Sequence, residues 1–188
     1  SVYEYKRKGD KWSKPKDLDN ISSRRTWEPH AAQSADGQWL FFVSDRDGGQ
    51  GGLDFWMSKK NSEGEWGEPK NLGNTVNTAY EERAPFFHPD GRTLYFSSEG
   101  HNSMGGLDIF KTTLNNGQWS KPVNIGYPVN TTDDDVYFVM AADGRTAYYA
   151  SSKPGGYGEK DIYAIRFLPK EMDEVAAVKE ETKAETSM

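Results

Sequence analysis

Three acidic residues stand at one recurring position: Glu28, Glu82 and Asp135 each precede an Asp-Gly pair by eight residues. Brought together, they would form an acidic ring that could bind a ligand. A side chain repeated in every unit more often serves the unit, here by bonding to backbone at the start of a strand. Catalysis asks for unlike residues in one place, so the repetition points to structure. A second set, Asp45, Asp47 and Asp54, lies among glycines between Ser44 and Asp54. Spaced carboxylates of this kind could build the oxygen cage of a calcium ion. The spacing is not that of an EF-hand, and the corresponding stretch from Ser98 to Ser103 keeps only Glu99 of the acids. Asp54, Asp108 and Asp161 therefore read as caps of the turn before a strand. No metal and no cofactor is expected.

The histidines His30, His88 and His101 fall at three different points of the repeat. The chain has no Gly-x-Ser-x-Gly elbow, no His-Glu-x-x-His and no phosphate-binding glycine loop. Asp133-Asp134-Asp135 offers the paired carboxylates of a glycosidase, but it reads better as a solvated turn. Without cysteine, thiol nucleophiles, disulfides and thiolate metal sites are excluded. No catalytic residue is assigned, and the expectation is a protein that is not an enzyme. A net charge of −6 leaves no basic footprint for nucleic acid. No apolar run approaches the ~18 residues of a bilayer-spanning helix.

The elements that must position these residues are legible as a repeat. Trp12-Ser13-Lys14-Pro15 returns as Trp66-Gly67-Glu68-Pro69 and Trp119-Ser120-Lys121-Pro122, at intervals of 54 and 53 residues. The pairs beginning at Asp36, Asp90 and Asp143 keep the same intervals, as do Ser44, Ser98 and Ser151 and the set Asp54, Asp108 and Asp161. The one-residue difference falls in polar turns, Lys59 to Glu65 against Thr112 to Gln118, where insertions cost little. Each unit reads as four strands. The first is Pro29–Ala35, Ala84–Pro89 or Val136–Ala142, and the second is Trp39–Ser44, Thr93–Ser98 or Thr146–Ser151. The third is Leu53–Ser58, Leu107–Thr113 or Asp161–Phe167, with Val2–Lys6 as a further copy. The fourth follows Trp-x-x-Pro, near Lys70–Leu72 and Val123–Ile125.

Second strands such as Leu40-Phe41-Phe42-Val43 are apolar on both faces, as a strand covered on both sides must be. Aromatic residues make up 13% of the chain, which suits large flat side chains on short strands. Four-stranded antiparallel blades packed face to face make an all-β propeller over residues 1–167. The chain opens and finishes on a third strand, as the C-terminal part of a larger propeller would. Residues 168–188 are acidic, lack glycine and aromatics, and read as a tail or linker. The segments before each first strand vary while the frame does not. They hold Arg24, Arg25 and Trp27, then Tyr80 and Arg83, then Thr132 and Asp133. Arginine beside an aromatic is a usual interface anchor, which makes this set the candidate binding surface. Ordinary loop variability is the alternative.

The run from Ala84 to Ser98, with Phe86, Phe87, Pro89, Asp90, Gly91, Leu94, Tyr95 and Phe96, followed by Gly105-Gly106-Leu107-Asp108-Ile109-Phe110, resembles PD40 repeats of the TolB-like, WD40-like propellers. The linking stretch from Trp66 to Gly73, with Val76, Asn77 and Thr78, is similar to propellers of Bacteroidota outer-membrane proteins that also carry an OmpA-like domain, including members of the type IX secretion system. The first repeat departs from the pattern, with His30-Ala31-Ala32 where Pro-Phe is usual. The resemblance implies a periplasmic, outer-membrane-associated module that binds a protein or peptide partner in the cell envelope. Peptidoglycan would be reached only through a domain these residues do not contain. A propeller glycosidase or lyase and a structural spacer are the alternatives.

Overall fold

The computed structural model describes residues 1–168, and every regular element in them is a β-strand. The expectation for residues 168–188 lies outside the described residues except at Leu168. The chain begins with a half-blade: β1 (Tyr3–Glu4), β2 (Arg7–Lys8), β3 (Lys11–Trp12) and β4 (Lys16–Asp17). The first full blade holds β5 (Ala31–Gln33), β6 (Trp39–Ser44), β7 (Asp54–Lys59) and β8 (Lys70–Asn71). The second holds β9 (Glu82–Phe87), β10 (Thr93–Ser98), β11 (Asp108–Asn115), β12 (Gln118–Trp119) and β13 (Val123–Asn124). The third holds β14 (Asp135–Met140), β15 (Thr146–Ser151) and β16 (Asp161–Arg166). All pairings are antiparallel; in the half-blade β1 pairs with β4 and β2 with β3, and in the full blades strands follow one another across each sheet in chain order, except that both β12 and β13 pair with β11.

The Asp-Gly pairs close the first hairpin of each blade. Gly91 and Gly144 take φ of +73° and +65°, conformations that only glycine adopts without steric cost. The preceding aspartates fix the turn: Asp90 accepts the Arg92 and Thr93 amides, Asp143 accepts those of Arg145 and Thr146, and each also accepts a threonine hydroxyl, all at 2.7 to 3.0 Å. The second strands match the expected bounds residue for residue, because Asp-Gly and Ser close them at both ends.

The first strands differ from expectation. β9 and β14 begin at the acids Glu82 and Asp135, whose amides donate back to the preceding blade at Leu53 O (2.8 Å) and Leu107 O (2.6 Å). Both strands are then interrupted. Ala84 (φ +50°) and Tyr137 (φ +60°) are left-handed, and the register jumps between Tyr95 and Ser97 and between Val136 and Val139. A bulge of this kind re-aims the side chains beside it. No glycine marks it, so the period-two pattern runs straight over it.

The core sits between blades. Phe41 stacks on Phe87 at 4.4 Å and Phe55 meets Phe96 edge-on at 5.2 Å, joining the first blade to the second. Tyr95 stacks on Phe138 at 4.6 Å to join the second to the third. Leu18, Ile21 and Val2 of the half-blade pack with Leu40 and Phe42. The repeat tryptophans do not share one environment. Trp66 is buried, and Trp119 lies half-buried against Phe41, whereas Trp12 is 66% exposed because nothing among the described residues covers it. Replacing Phe96 by Ala is expected to cost about 3–5 kcal/mol. Replacing Trp12 should stay within about 0.5 kcal/mol. Urea unfolding of the two variants against the parent checks both.

Candidate functional site

The repeated acids are committed to the frame. Glu82 accepts hydrogen bonds from the Thr78 amide (3.0 Å), the Thr78 hydroxyl (2.7 Å) and the Ser98 hydroxyl (2.9 Å). Asp135 takes the Thr131 amide and hydroxyl at 2.6 and 3.0 Å. Glu28 accepts from Ser44 (3.2 Å) and pairs with Arg46 (3.5 Å). All three are buried, so Glu82 and Asp135 do not face a cleft as a glycosidase pair would. Asp54, Asp108 and Asp161 accept amides of the loop before the third strand, from Gln50 and Gly51, from Met104, and from Tyr157 and Gly158. Asp45 accepts the Trp27 amide at 2.7 Å. Among the described residues no three acids or histidines are placed to share a metal ion.

The expected binding set is dispersed. Arg24, Arg25, Trp27 and Tyr80 are exposed, and no hydrogen bond or ion pair among the described residues links them to one another or to Thr132 and Asp133. The backbone of Thr132 packs on Gly105, where a β-carbon would collide with it. Of this set, Arg83 alone lies beside the cleft described next.

That cleft is built from the first strands of all three blades. Pro29, His30, Ala31, Ala84, Pro85, Tyr137, Phe138 and Val139 line an open cavity of about 280 Å³. Its residues come from equivalent positions that have diverged: His30, Ala84 and Tyr137 each stand two residues after the buried acid. The bulges at Ala84 and Tyr137 turn this position out of the ladder. Tyr137 is 53% exposed, and its ring meets that of His30 edge-on at 5.6 Å, with Oη 3.5 Å from Nε2. A left-handed tyrosine is a strained residue, of the sort that persists where surroundings over-determine it.

His30 Nδ1 is buried and without a partner among the described residues. Burial, helped by the charge of Arg83, holds the imidazole below its usual pKa, so the ring is neutral at pH 7. A neutral imidazole carries one donor and one acceptor nitrogen. Arg83 grips Glu81 through Nε (2.8 Å) and a terminal nitrogen. Glu81 is the counterpart of Asp134, which accepts the Leu107 amide (3.1 Å) and meets Lys160 (3.0 Å). Sequence reasoning weighed His30 only among the three histidines and missed its pairing with Tyr137. The signal was present: unlike residues at one repeat offset, with proline beside His30 and Ala84.

No family model matches the chain, and no curated protein sequence does. Its structure is similar to that of a puromycin-hydrolyzing peptidase of Mycobacterium tuberculosis, at a TM-score of 0.56 and 15% identity, over 90% of this chain and 30% of the peptidase. It is also similar to a periplasmic gluconolactonase of Pseudomonas aeruginosa, at 0.42 and 14%, over 74% of this chain and 42% of the other. The chain thus spans less than half the length of either protein. The all-β propeller fold follows from the blades and from the peptidase likeness. The expectation that the protein is not an enzyme is overturned: a peptidase carries this arrangement of blades, so absent catalytic motifs in the blades do not set the protein apart from enzymes.

One acid has a measurable consequence. Burial raises the pKa of Glu82 from 4.5 to about 7, against the three hydrogen bonds that lower it. The folded state therefore holds this proton more tightly than the unfolded chain. Stability from the group is full below about pH 4.5 and is lost as pH rises through about 7. Glu82→Gln removes that loss. Relative to the parent, the variant should gain up to about 3 kcal/mol between pH 5 and pH 8, read from urea unfolding at the two pH values.

Proposed function

We propose that the chain is a recognition module whose three-blade cleft binds an extended polypeptide segment. The observation that carries this reading is the meeting of His30 and Tyr137, unlike residues from one repeat position, across a cavity walled by Pro29, Pro85 and Phe138. Apolar and aromatic walls with a few polar groups are the usual makeup of a binding site. Aromatic-lined grooves suit extended, proline-containing segments, whose preformed backbone loses little entropy on docking. The neutral His30 ring and the Tyr137 hydroxyl supply the donors and acceptors that a backbone requires. A cavity of about 280 Å³ has room for one or two side chains, not for a folded domain.

The resemblance of the Trp66–Thr78 stretch to envelope propellers supports placing this module in the periplasm, associated with the outer membrane. There the partner would be a protein of an OmpA-family or type IX secretion assembly. No peptidoglycan contact is assigned to these residues. The net charge of −6 gives no support to a nucleic-acid ligand.

A peptide array, followed by titration of the best binders, tests the reading. His30→Ala and Tyr137→Ala are each expected to weaken binding about tenfold or more, as cleft anchors do. Arg24→Ala, on the exposed loop, should leave binding unchanged. Binders that are indifferent to both cleft variants would remove the proposal.

A further inference from the structure

The junction of the first and second blades and that of the second and third share one plan. Asn77 accepts the Phe55 amide (2.8 Å) and donates to the Phe55 carbonyl (3.1 Å), and Asn130 does the same to Ile109 at 2.8 Å each. Asn71 and Asn124 bond Asp54 and Asp108 at 3.3 and 2.7 Å. Each junction buries two carboxylates, Asp54 with Glu82 and Asp108 with Asp135, all 0% exposed. At the first junction every carboxylate oxygen has a partner. Glu82 Oε1 accepts the Thr78 and Ser98 hydroxyls, and Oε2 accepts the Thr78 amide. Asp54 Oδ1 accepts the Gly51 amide (3.2 Å), and Oδ2 accepts Asn71.

The second junction departs from this at two positions. Asp135 is one methylene shorter than Glu82, and Ser97 stands where the first blade has Val43. Each change removes hydrocarbon and leaves an oxygen unanswered. Asp135 bonds Thr131 through Oδ2 alone, and Asp108 bonds the Met104 amide (2.6 Å) and Asn124 through Oδ2 alone. Asp108 Oδ1, Asp135 Oδ1 and Ser97 Oγ are buried and without a partner among the described residues. Ser97 pairs with Ile109, whose side chain packs with Phe138 and Tyr149, so the hydroxyl is on the face turned to the third blade. The charge is unanswered as well. Glu28, the same acid in the first blade, has Arg46. The counterpart of Arg46 in the third blade is Lys153, which is turned to Tyr149 Oη (3.0 Å) and the Tyr163 ring (3.6 Å). Lys160 meets Asp134, and among the described residues no lysine or arginine pairs with Asp108 or Asp135. Burial, with the charge of Asp135 nearby, raises the Asp108 carboxyl above its usual pKa, against its bonds to Met104 and Asn124.

We propose that the junction of the second and third blades binds a calcium-class cation through Asp108 Oδ1, Asp135 Oδ1 and Ser97 Oγ. Orphaned buried oxygens call for an ion or an ordered water. Water would supply hydrogen bonds but no charge, and two buried carboxylates without a cation are costly. A single divalent ion offsets both. The donors are all oxygen, which selects a hard cation. Calcium accepts irregular oxygen sets completed by carbonyls or water, whereas magnesium demands near-octahedral geometry. The ion ties β14 to the second blade at the start of the strand, where the Asp135 amide already bonds Leu107 O. The site does not rest on the reading of the cleft of His30 and Tyr137.

Thermal unfolding of the chelator-treated full chain, with and without millimolar calcium chloride, tests the site. The midpoint is expected to rise by about 5 °C or more with calcium, and by less with magnesium. The double variant Ser97→Val with Asp135→Glu copies the first junction, so its midpoint should be the same with or without calcium. Each single variant should show the same loss of response, which keeps the test open if the double variant does not fold. Three results would overturn the proposal. One is a parent chain indifferent to calcium, as a water or a proton shared by the two acids would give. Another is a calcium shift undiminished in the variants, which would mark an ion bound elsewhere. The third is an equal shift with magnesium.

Discussion

The arrangement of the blades depends on one contact, the two-way hydrogen bond of Asn77 and Asn130 to the backbone of the preceding third strand. The connection between blades must leave the fourth strand, cross the end of the third and enter the next sheet. At the crossing, the amide and carbonyl of Phe55 and Ile109 face the connecting segment, and an unpaired pair would be costly inside the protein. A carboxamide answers both groups at once, because it is the side chain that copies a peptide unit. Asn71 and Asn124 brace the clamps at 2.9 and 2.6 Å and tie them to Asp54 and Asp108. Since these aspartates also cap the loop before the third strand, one polar chain fixes the loop, the strand and the exit to the next blade.

From that anchoring the apolar contacts follow. Glu82 and Asp135 begin their strands five residues beyond the clamp, with amides bonded back to Leu53 and Leu107. The incoming sheet therefore arrives at a fixed offset, and Phe96 meets Phe55 while Phe138 meets Tyr95. The aromatic stacks supply most of the burial, but they are not what selects the angle, since flat rings accept several offsets at similar energy. Polar groups in a dry interface are less tolerant. The division of labour is familiar from repeat proteins generally, where each unit is stabilised chiefly by its neighbours.

This division explains what could be read from the sequence. The strands, the turns and the order of the blades were visible because Trp-x-x-Pro, Asp-Gly and the strand-opening aspartates recur at fixed intervals. Asn77 was visible as part of a motif, but its partner is a backbone group and leaves no mark in the sequence. The bulges at Ala84 and Tyr137 were hidden for a different reason. Left-handed backbone is normally announced by glycine, and here an alanine and a tyrosine adopt it. As a result the cleft was missed, since His30 and Tyr137 are 107 positions apart and only the bulge turns Tyr137 toward His30. The anchor set around Arg24, Trp27 and Tyr80 was drawn from variability and from the pairing of arginine with an aromatic. Variability marks exposure as readily as it marks binding.

A repeat offers a sharper criterion than variability. Where every blade keeps the same residue, the side chain answers a demand that every blade makes, as Glu28, Glu82 and Asp135 do. Where equivalent positions diverge yet converge in space, the blade's own needs no longer explain the choice. The position two residues after the buried acid is of this kind, with His30, Ala84 and Tyr137 brought together in one cleft. The frame sets the distances between them, and departure from the repeat sets the chemistry. The same reasoning shows why blade motifs were a poor guide to catalysis. A motif that recurs in every blade reports on the frame, and the frame is shared with a peptidase. Function in such a fold is written in the residues that break its symmetry.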